Sequence, residues 1–158
     1  MVNIDNASAS LTETTVEGQV TSPLALWNPT VAGRWSLIFS PVFGAYLHMK
    51  NWQVLGDPIR AAKSRNWVIG SFLLLLIRFL LPLVLPDTKA IDMSFRSCAF
   101  ALLVSWYYSL GKFQQSYVAA RFGTNYERRD WTVPLLVAVG AIIFLYLLNS
   151  WLLILLTR

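Results

Sequence analysis

The chain has 158 residues, of which 56% are apolar, 14% aromatic and only 13% charged. A soluble domain carries about 25% charged residues, and a disordered chain is poor in apolar residues. The composition therefore excludes both classes and indicates an integral membrane protein. The net charge of +5 does not indicate nucleic-acid binding, because the basic residues flank apolar segments and form no dense patch.

The chain length fits one domain of about four spans of 20 residues each, which leaves no room for a separate soluble catalytic domain. Residues 1–24 carry Asp5, Glu13 and Glu17, no basic residue, and many Ser and Thr without apolar periodicity. We expect this segment to be a flexible acidic tail. A single polytopic transmembrane domain is then expected over residues 25–158.

The first apolar segment, at about residues 27–48, is interrupted by Pro29, Arg34 and Pro41. Proline removes a backbone donor and bends a helix. The segment is therefore predicted to be one kinked crossing, or else a pair of short helices that re-enter the same face of the membrane. We favour the crossing.

Three further apolar segments follow. Residues 67–86 contain one charge, Arg78; residues 94–111 contain one charge, Arg96; residues 131–156 contain none. The shortest of them reaches about 27 Å as a helix, which is just enough to cross the hydrocarbon core. The sequence therefore predicts an all-α membrane bundle of about four transmembrane helices.

The connecting loops predict the orientation. The loops at residues 50–66 and 112–130 hold four basic residues each, whereas residues 87–93 hold only Lys89. The positive-inside rule places both basic loops in the cytoplasm and the C-terminus outside, and a crossing first segment places the N-terminus outside as well. Asp57 and Pro58 predict a helix start, and Gly123 a helix end. The residues expected to anchor the loops at anionic lipid headgroups are Arg60, Lys63, Arg65, Arg121, Arg128 and Arg129.

Catalytic and metal-binding motifs are missing from the sequence. His48 is the only histidine and Cys98 the only cysteine, and there is no HExxH, GxSxG, glycine-rich phosphate loop or CxxC. We therefore expect a protein that is not an enzyme and that uses no cofactor or metal.

Three arginines, Arg34, Arg78 and Arg96, lie within or at the edge of the predicted spans. A charge at the centre of a membrane helix costs at least about 2.5 kcal/mol, so it is a functional hypothesis by default. In the four-span topology all three share the outer half of the membrane, where they could converge on a carboxylate or phosphate. The alternative, which we favour for Arg78 and Arg96, is that each side chain snorkels towards the interface.

A dense pattern of aromatic, proline and small residues covers residues 26–67. It consists of Trp27-Asn28-Pro29, Ala32, Trp35-Ser36, Phe39-Ser40-Pro41, Phe43-Gly44-Ala45, His48, Asn51-Trp52 and Leu55-Gly56, followed by Ala61 or Ala62. The pattern resembles a motif of a family of small uncharacterised inner-membrane proteins of Gram-negative bacteria. Some of these lie in toxin and immunity neighbourhoods, including type VI secretion loci. The resemblance implies a multi-pass inner-membrane protein whose outer side faces the periplasm.

The resemblance and the composition together favour an immunity protein that binds and neutralises a membrane-acting toxin. The alternatives are a small transporter or channel subunit with an arginine-lined anion path, and a lipid-binding membrane scaffold. The expected partners are the bilayer, with anionic lipid at the cytoplasmic loops, and a protein toxin. The residues expected to contact the partner are Arg34, Arg78, Arg96, Trp27, Asn28, Trp35, His48, Asn51 and Trp52.

Overall fold

A computed structural model of the chain describes residues 24–86 and 88–156, which are mostly helical. The elements are β1 (Ala25–Leu26), α1 (Pro29–Ile38), α2 (Pro41–Val54), α3 (Pro58–Leu80), a 3₁₀ turn (Leu81–Leu83), α4 (Lys89–Trp106), a π turn (Tyr107–Gly111), α5 (Lys112–Phe122), β2 (Glu127–Arg128) and α6 (Thr132–Leu156). The prediction of an all-α chain is confirmed, since each strand has only two residues. Residues 1–23 of the expected acidic tail lie outside the described residues.

The helix starts follow from local chemistry. The Asn28 side chain accepts hydrogen bonds from the backbone N–H groups of Thr30 and Val31, and Asp57 accepts one from Arg60. Each cap precedes a proline at the first helical position, where the missing N–H costs nothing. The predicted start at Asp57 and Pro58 is confirmed, and so is the end at Gly123, which follows α5 with a φ of +56°.

The first apolar segment folds into a helical hairpin, so the crossing predicted at residues 27–48 is wrong. His48 Nε2 donates to the Pro29 carbonyl at 3.2 Å, although the ends of a straight 20-residue helix are about 30 Å apart. Helix α1 ends at Ile38, and Pro41 starts α2 in a new direction. The structure therefore has the second predicted form, a pair of short helices whose outer ends meet.

In the described part of the chain, two helices are long and apolar enough to cross a membrane: α3 with its 3₁₀ turn (Pro58–Leu83) and α6 (Thr132–Leu155). The four predicted spans are therefore not all present. The segment at residues 27–48 is a hairpin. Helix α4 begins five residues before the predicted span at residue 94, and Lys89 and Asp92 join Arg96 in its first half. It then continues through the π turn directly into α5.

The best-packed part of the molecule is formed by α1, α2, α3 and α5 together with the end of α4 and the π turn. Helix α2 lies along α3, and α1 folds back against α2. The largest buried side chains there are Trp52 and Trp106, and Trp106 packs with Ala45, Leu103 and Leu110. By contrast, α6 makes only sparse contacts with the rest of the described chain, and none of its apolar window is buried.

A short parallel strand pair connects the two halves of the chain. Residues Ala25 and Leu26 pair with Glu127 and Arg128, and Arg129 N donates to the Leu26 carbonyl at 3.0 Å. The Trp27 indole N–H then donates to the Asp130 carbonyl at 3.0 Å. Residues 24–27 therefore lie beside the start of α6.

Candidate functional site

An apolar groove with a volume of about 790 Å³ lies between α6 and the α1–α2 hairpin. Known ligand pockets occupy about 300–1,000 Å³. One wall is a stripe of α6 that includes Val137, Ala141 and Leu145, spaced so that they lie on one helix face. The opposite wall comes from Phe43 and Leu47 of α2, together with Phe72 and Leu75 of α3.

One end of the groove is polar and aromatic. The Arg129 guanidinium lies 4.7 Å from the centre of the Trp27 ring, and both residues line the groove together with Asp130. The Lys50 ammonium lies 5.6 Å from the ring centre of Tyr46, another lining residue. The hydrogen bond from the Thr132 hydroxyl lowers the pKa of Asp130, so this carboxyl is ionised at neutral pH. The groove thus has one charged end and apolar walls.

Beside the groove lies a buried polar network, which we call the Asn51 network: Trp27 backbone, His48, Asn51 and Gln114. Asn51 Nδ2 donates to the Trp27 carbonyl at 2.7 Å and to Gln114 Oε1 at 3.4 Å, and Asn51 Oδ1 accepts from Trp27 N at 3.1 Å. Gln114 Nε2 donates to the His48 carbonyl at 2.9 Å. The network fastens the ends of the hairpin to α5.

The His48 ring is fully buried, with its centre 5.0 Å from that of Trp106 in an edge-on contact. Burial lowers the pKa of His48 to about 4, and the hydrogen bond to Pro29 opposes that shift only in part. The ring is therefore neutral at pH 7 and carries its proton on Nε2, which faces the Pro29 carbonyl.

This burial corrects part of the predicted partner-binding set. His48, Asn51 and Trp52 have no exposed surface, so they hold the fold together and cannot touch a partner. Asn28 caps α1, and the Trp35 ring packs against that of Phe39 in a tilted contact with ring centres 5.5 Å apart. The aromatic and polar pattern at residues 26–67 is thus mainly the core of the hairpin.

The three arginines do not form one site. Arg78 and Arg96 both reach Asp92, with N–O distances of 3.3 Å and 2.7 Å. Arg34 is exposed on α1, which packs against α2 and α5. The expected convergence therefore holds for two arginines, and their common partner is a carboxylate in the first turn of α4.

The predicted surface anchors divide into two groups. Arg60 pairs with Asp57, and its guanidinium lies 5.2 Å from the Trp52 ring centre and 4.6 Å from that of Phe113, so it packs between helices. Arg121 donates to the Tyr117 hydroxyl at 2.9 Å. The exposed members are Lys63, Arg65, Arg121 and Arg128. Arg129, expected at the surface, instead lines the groove.

Gln114 and Trp106 were not predicted as structural residues. A signal was available, since Trp106, Leu110, Gln114 and Val118 recur every four residues, and all four are buried. Among the described residues, no group of three His, Cys, Asp or Glu side chains could hold a metal ion. No family model matches the chain, and no curated protein or solved structure matches it.

Proposed function

We propose that the chain is a non-enzymatic membrane protein that acts by binding, and that its role is to neutralise a membrane-acting bacterial toxin. Helix α6 is the observation that carries this proposal. It has 25 residues without a charge, and no residue of its apolar window is buried. Membrane helices associate through close packing. A free apolar helix is therefore a surface on which a membrane-inserted segment of a toxin can pack.

The topology we propose has three crossings, α3, α4 and α6, in the bacterial inner membrane, with the α1–α2 hairpin re-entering from the cytoplasm. The two loops with four basic residues each then remain cytoplasmic and the C-terminus is periplasmic. Because Trp27 is bonded to Asn51 and Asp130, residues 24–27 lie on the same side as both basic loops. This placement replaces the periplasmic N-terminal side expected from a crossing.

The contact surface we propose is the face of α6 turned away from the groove. Leu136, Ile143 and Leu147 share that face and are 54–66% exposed. The opposite stripe, with Val137 and Leu145, faces the groove. Substitutions on the two faces of α6 can therefore be compared, one double variant on the proposed contact face and one on the groove face.

The test is survival of susceptible bacteria that express the chain while toxins encoded beside its gene are delivered to the periplasm. We expect protection by the wild type and at least a tenfold loss of survivors with Ile143→Ala/Leu147→Ala. The control Val137→Ala/Leu145→Ala should keep protection at equal protein level. Absence of protection from every neighbouring toxin would contradict the proposal, and so would equal losses from both double variants.

A second candidate, lipid binding, is favoured by the charged end of the groove. The transporter alternative has no comparable support, because Arg78 and Arg96 share Asp92 and line only a small cavity of about 160 Å³.

A further inference from the structure

We infer that the groove is a site for one anionic phospholipid of the cytoplasmic leaflet, with the phosphate at Arg129 and the acyl chains along α6. This inference is independent of toxin neutralisation, since it concerns the opposite face of α6.

The size and the apolar walls of the groove suit lipid acyl chains. The groove of about 790 Å³ separates α6 from the hairpin, and the wall residues are apolar on both sides. An empty gap would cost the lining atoms their dispersion contacts. In a bilayer, lipid acyl chains can fill this groove. They would restore the dispersion contacts of the wall residues while α6 stays beside the hairpin.

The charges at one end of the groove also suit a phospholipid headgroup. Arg129 lines the groove and lies over the Trp27 ring, and Lys50 lies over the ring of Tyr46, another lining residue. In the described part of the chain, no carboxylate lies within ion-pair distance of either cation. Asp130 is the single acidic residue among the described lining residues, so Arg129 and Asp130 balance each other and the nearby Lys50 makes the sum +1. A phosphodiester without a compensating amine complements that charge.

The length of the groove matches the thickness of one membrane leaflet. The groove follows α6 from Val133 to Leu145, which is about 18 Å of helix. One leaflet contributes about half of the 30 Å hydrocarbon core. The groove therefore matches one leaflet, with Arg129 and Trp27 at the headgroup level where such side chains favour the interface. A partner helix that crosses the whole membrane would extend well beyond it.

The experiment is native mass spectrometry of the full chain in detergent, titrated with phosphatidylglycerol or phosphatidylcholine. We expect one phosphatidylglycerol per chain, bound at least tenfold more tightly than phosphatidylcholine. Arg129→Gln should abolish this preference. The matched control is Arg128→Gln, which removes the same charge from the neighbouring exposed residue and should change nothing.

A second pair of variants tests the walls. Ala141→Phe places a ring in the groove and should weaken binding of both lipids at least tenfold, whereas Val139→Phe on the other side of α6 should not. Equal losses from Arg128→Gln and Arg129→Gln would overturn the inference in favour of general surface charge. Unchanged binding in Ala141→Phe would overturn it in favour of annular lipid. Displacement of the lipid by millimolar inorganic phosphate, or a dimer mass without lipid, would also overturn it.

Discussion

At the scale of single residues, the buried polar side chains explain why the hairpin closes. The Asn51 side chain hydrogen-bonds both the N–H and the carbonyl of Trp27. Trp27 lies between β1 and α1, so neither element provides partners for these two backbone groups. Buried backbone groups need such partners, since leaving one unpaired costs about 1–3 kcal/mol. Gln114 donates to the His48 carbonyl from a different helix and so joins α5 to α2. These amides therefore specify which ends of the chain meet.

The burial of His48 predicts an acid sensitivity. Burial lowers the pKa from 6.5 in the unfolded chain to about 4 in the folded one. Above pH 6.5 both states are neutral and the folded chain has its full stability. As the pH falls from 6.5 towards 4, the unfolded state binds a proton that the folded state refuses, so the free energy of unfolding decreases by up to about 3 kcal/mol.

Thermal unfolding in detergent between pH 8 and pH 4 checks this prediction, with His48→Gln as the reference. Glutamine can still donate to the Pro29 carbonyl but does not titrate. The wild type should therefore lose more stability than His48→Gln over this range. Parallel curves for the two proteins would contradict the assignment of a buried, neutral ring.

At the scale of elements, the sequence predicted the ends of the helices better than their directions and packing partners. Asp57-Pro58 and Gly123 act within a few residues, so local chemistry was sufficient to place them. The α1–α2 hairpin was predicted only as the less favoured alternative, because mean hydropathy counts apolar residues and contains no information on chain direction. The contact that decides it joins Ser36 to Gly44, and nothing in either residue alone predicts it.

The tight crossing of α1 and α2 predicts a large effect of Gly44→Ala. A Cβ there would lie 1.8 Å from Ser36 Oγ and 2.7 Å from the Trp106 ring, so the helices must separate. Overpacking of this kind costs about 1–3 kcal/mol or more. The melting temperature in detergent should fall by several degrees.

Gly70→Ala is the matched control for this crossing. A Cβ at Gly70 meets no atom within 4 Å, and alanine suits a helix interior better than glycine by about 0.5–1 kcal/mol. Gly70→Ala should therefore be neutral or slightly stabilising. Equal melting temperatures for the two alanine variants would contradict the close approach of α1 to α2.

At the scale of the whole molecule, the candidate site arises only from tertiary structure. Arg129 was predicted as a surface anchor because it belongs to a basic loop, and its place in the groove depends on the strand pair beside it. Strands of two residues have no detectable sequence signal. In the sequence, the apolar stripe of α6 is the same as that of any transmembrane helix. The groove beside it depends on how α6 and the hairpin are arranged in space, which the sequence pattern of α6 does not contain.

The arrangement predicts the sidedness of three positions. Thr30, Gln53 and Thr124 are exposed and lie on the side where the hairpin ends meet the start of α6. Single cysteines at these positions, in a Cys98→Ala background, should all react with a membrane-impermeant maleimide added from the cytoplasmic side of inverted vesicles. A crossing first segment would instead make Thr30→Cys reactive only from the periplasmic side.

The strand pair also sets an order for biosynthesis. Trp27 and its partner Asp130 are 103 residues apart, so the hairpin cannot be joined to the start of α6 until most of the chain has been made. At about 5–20 residues per second, synthesis of that interval takes roughly 5–20 s. During this time the motif-rich segment is already made while α5 and α6 are still to come. Lipid or the insertion machinery must therefore cover the apolar hairpin before α5 and α6 exist. Docking of the hairpin against α5 and α6 is then a late step of assembly.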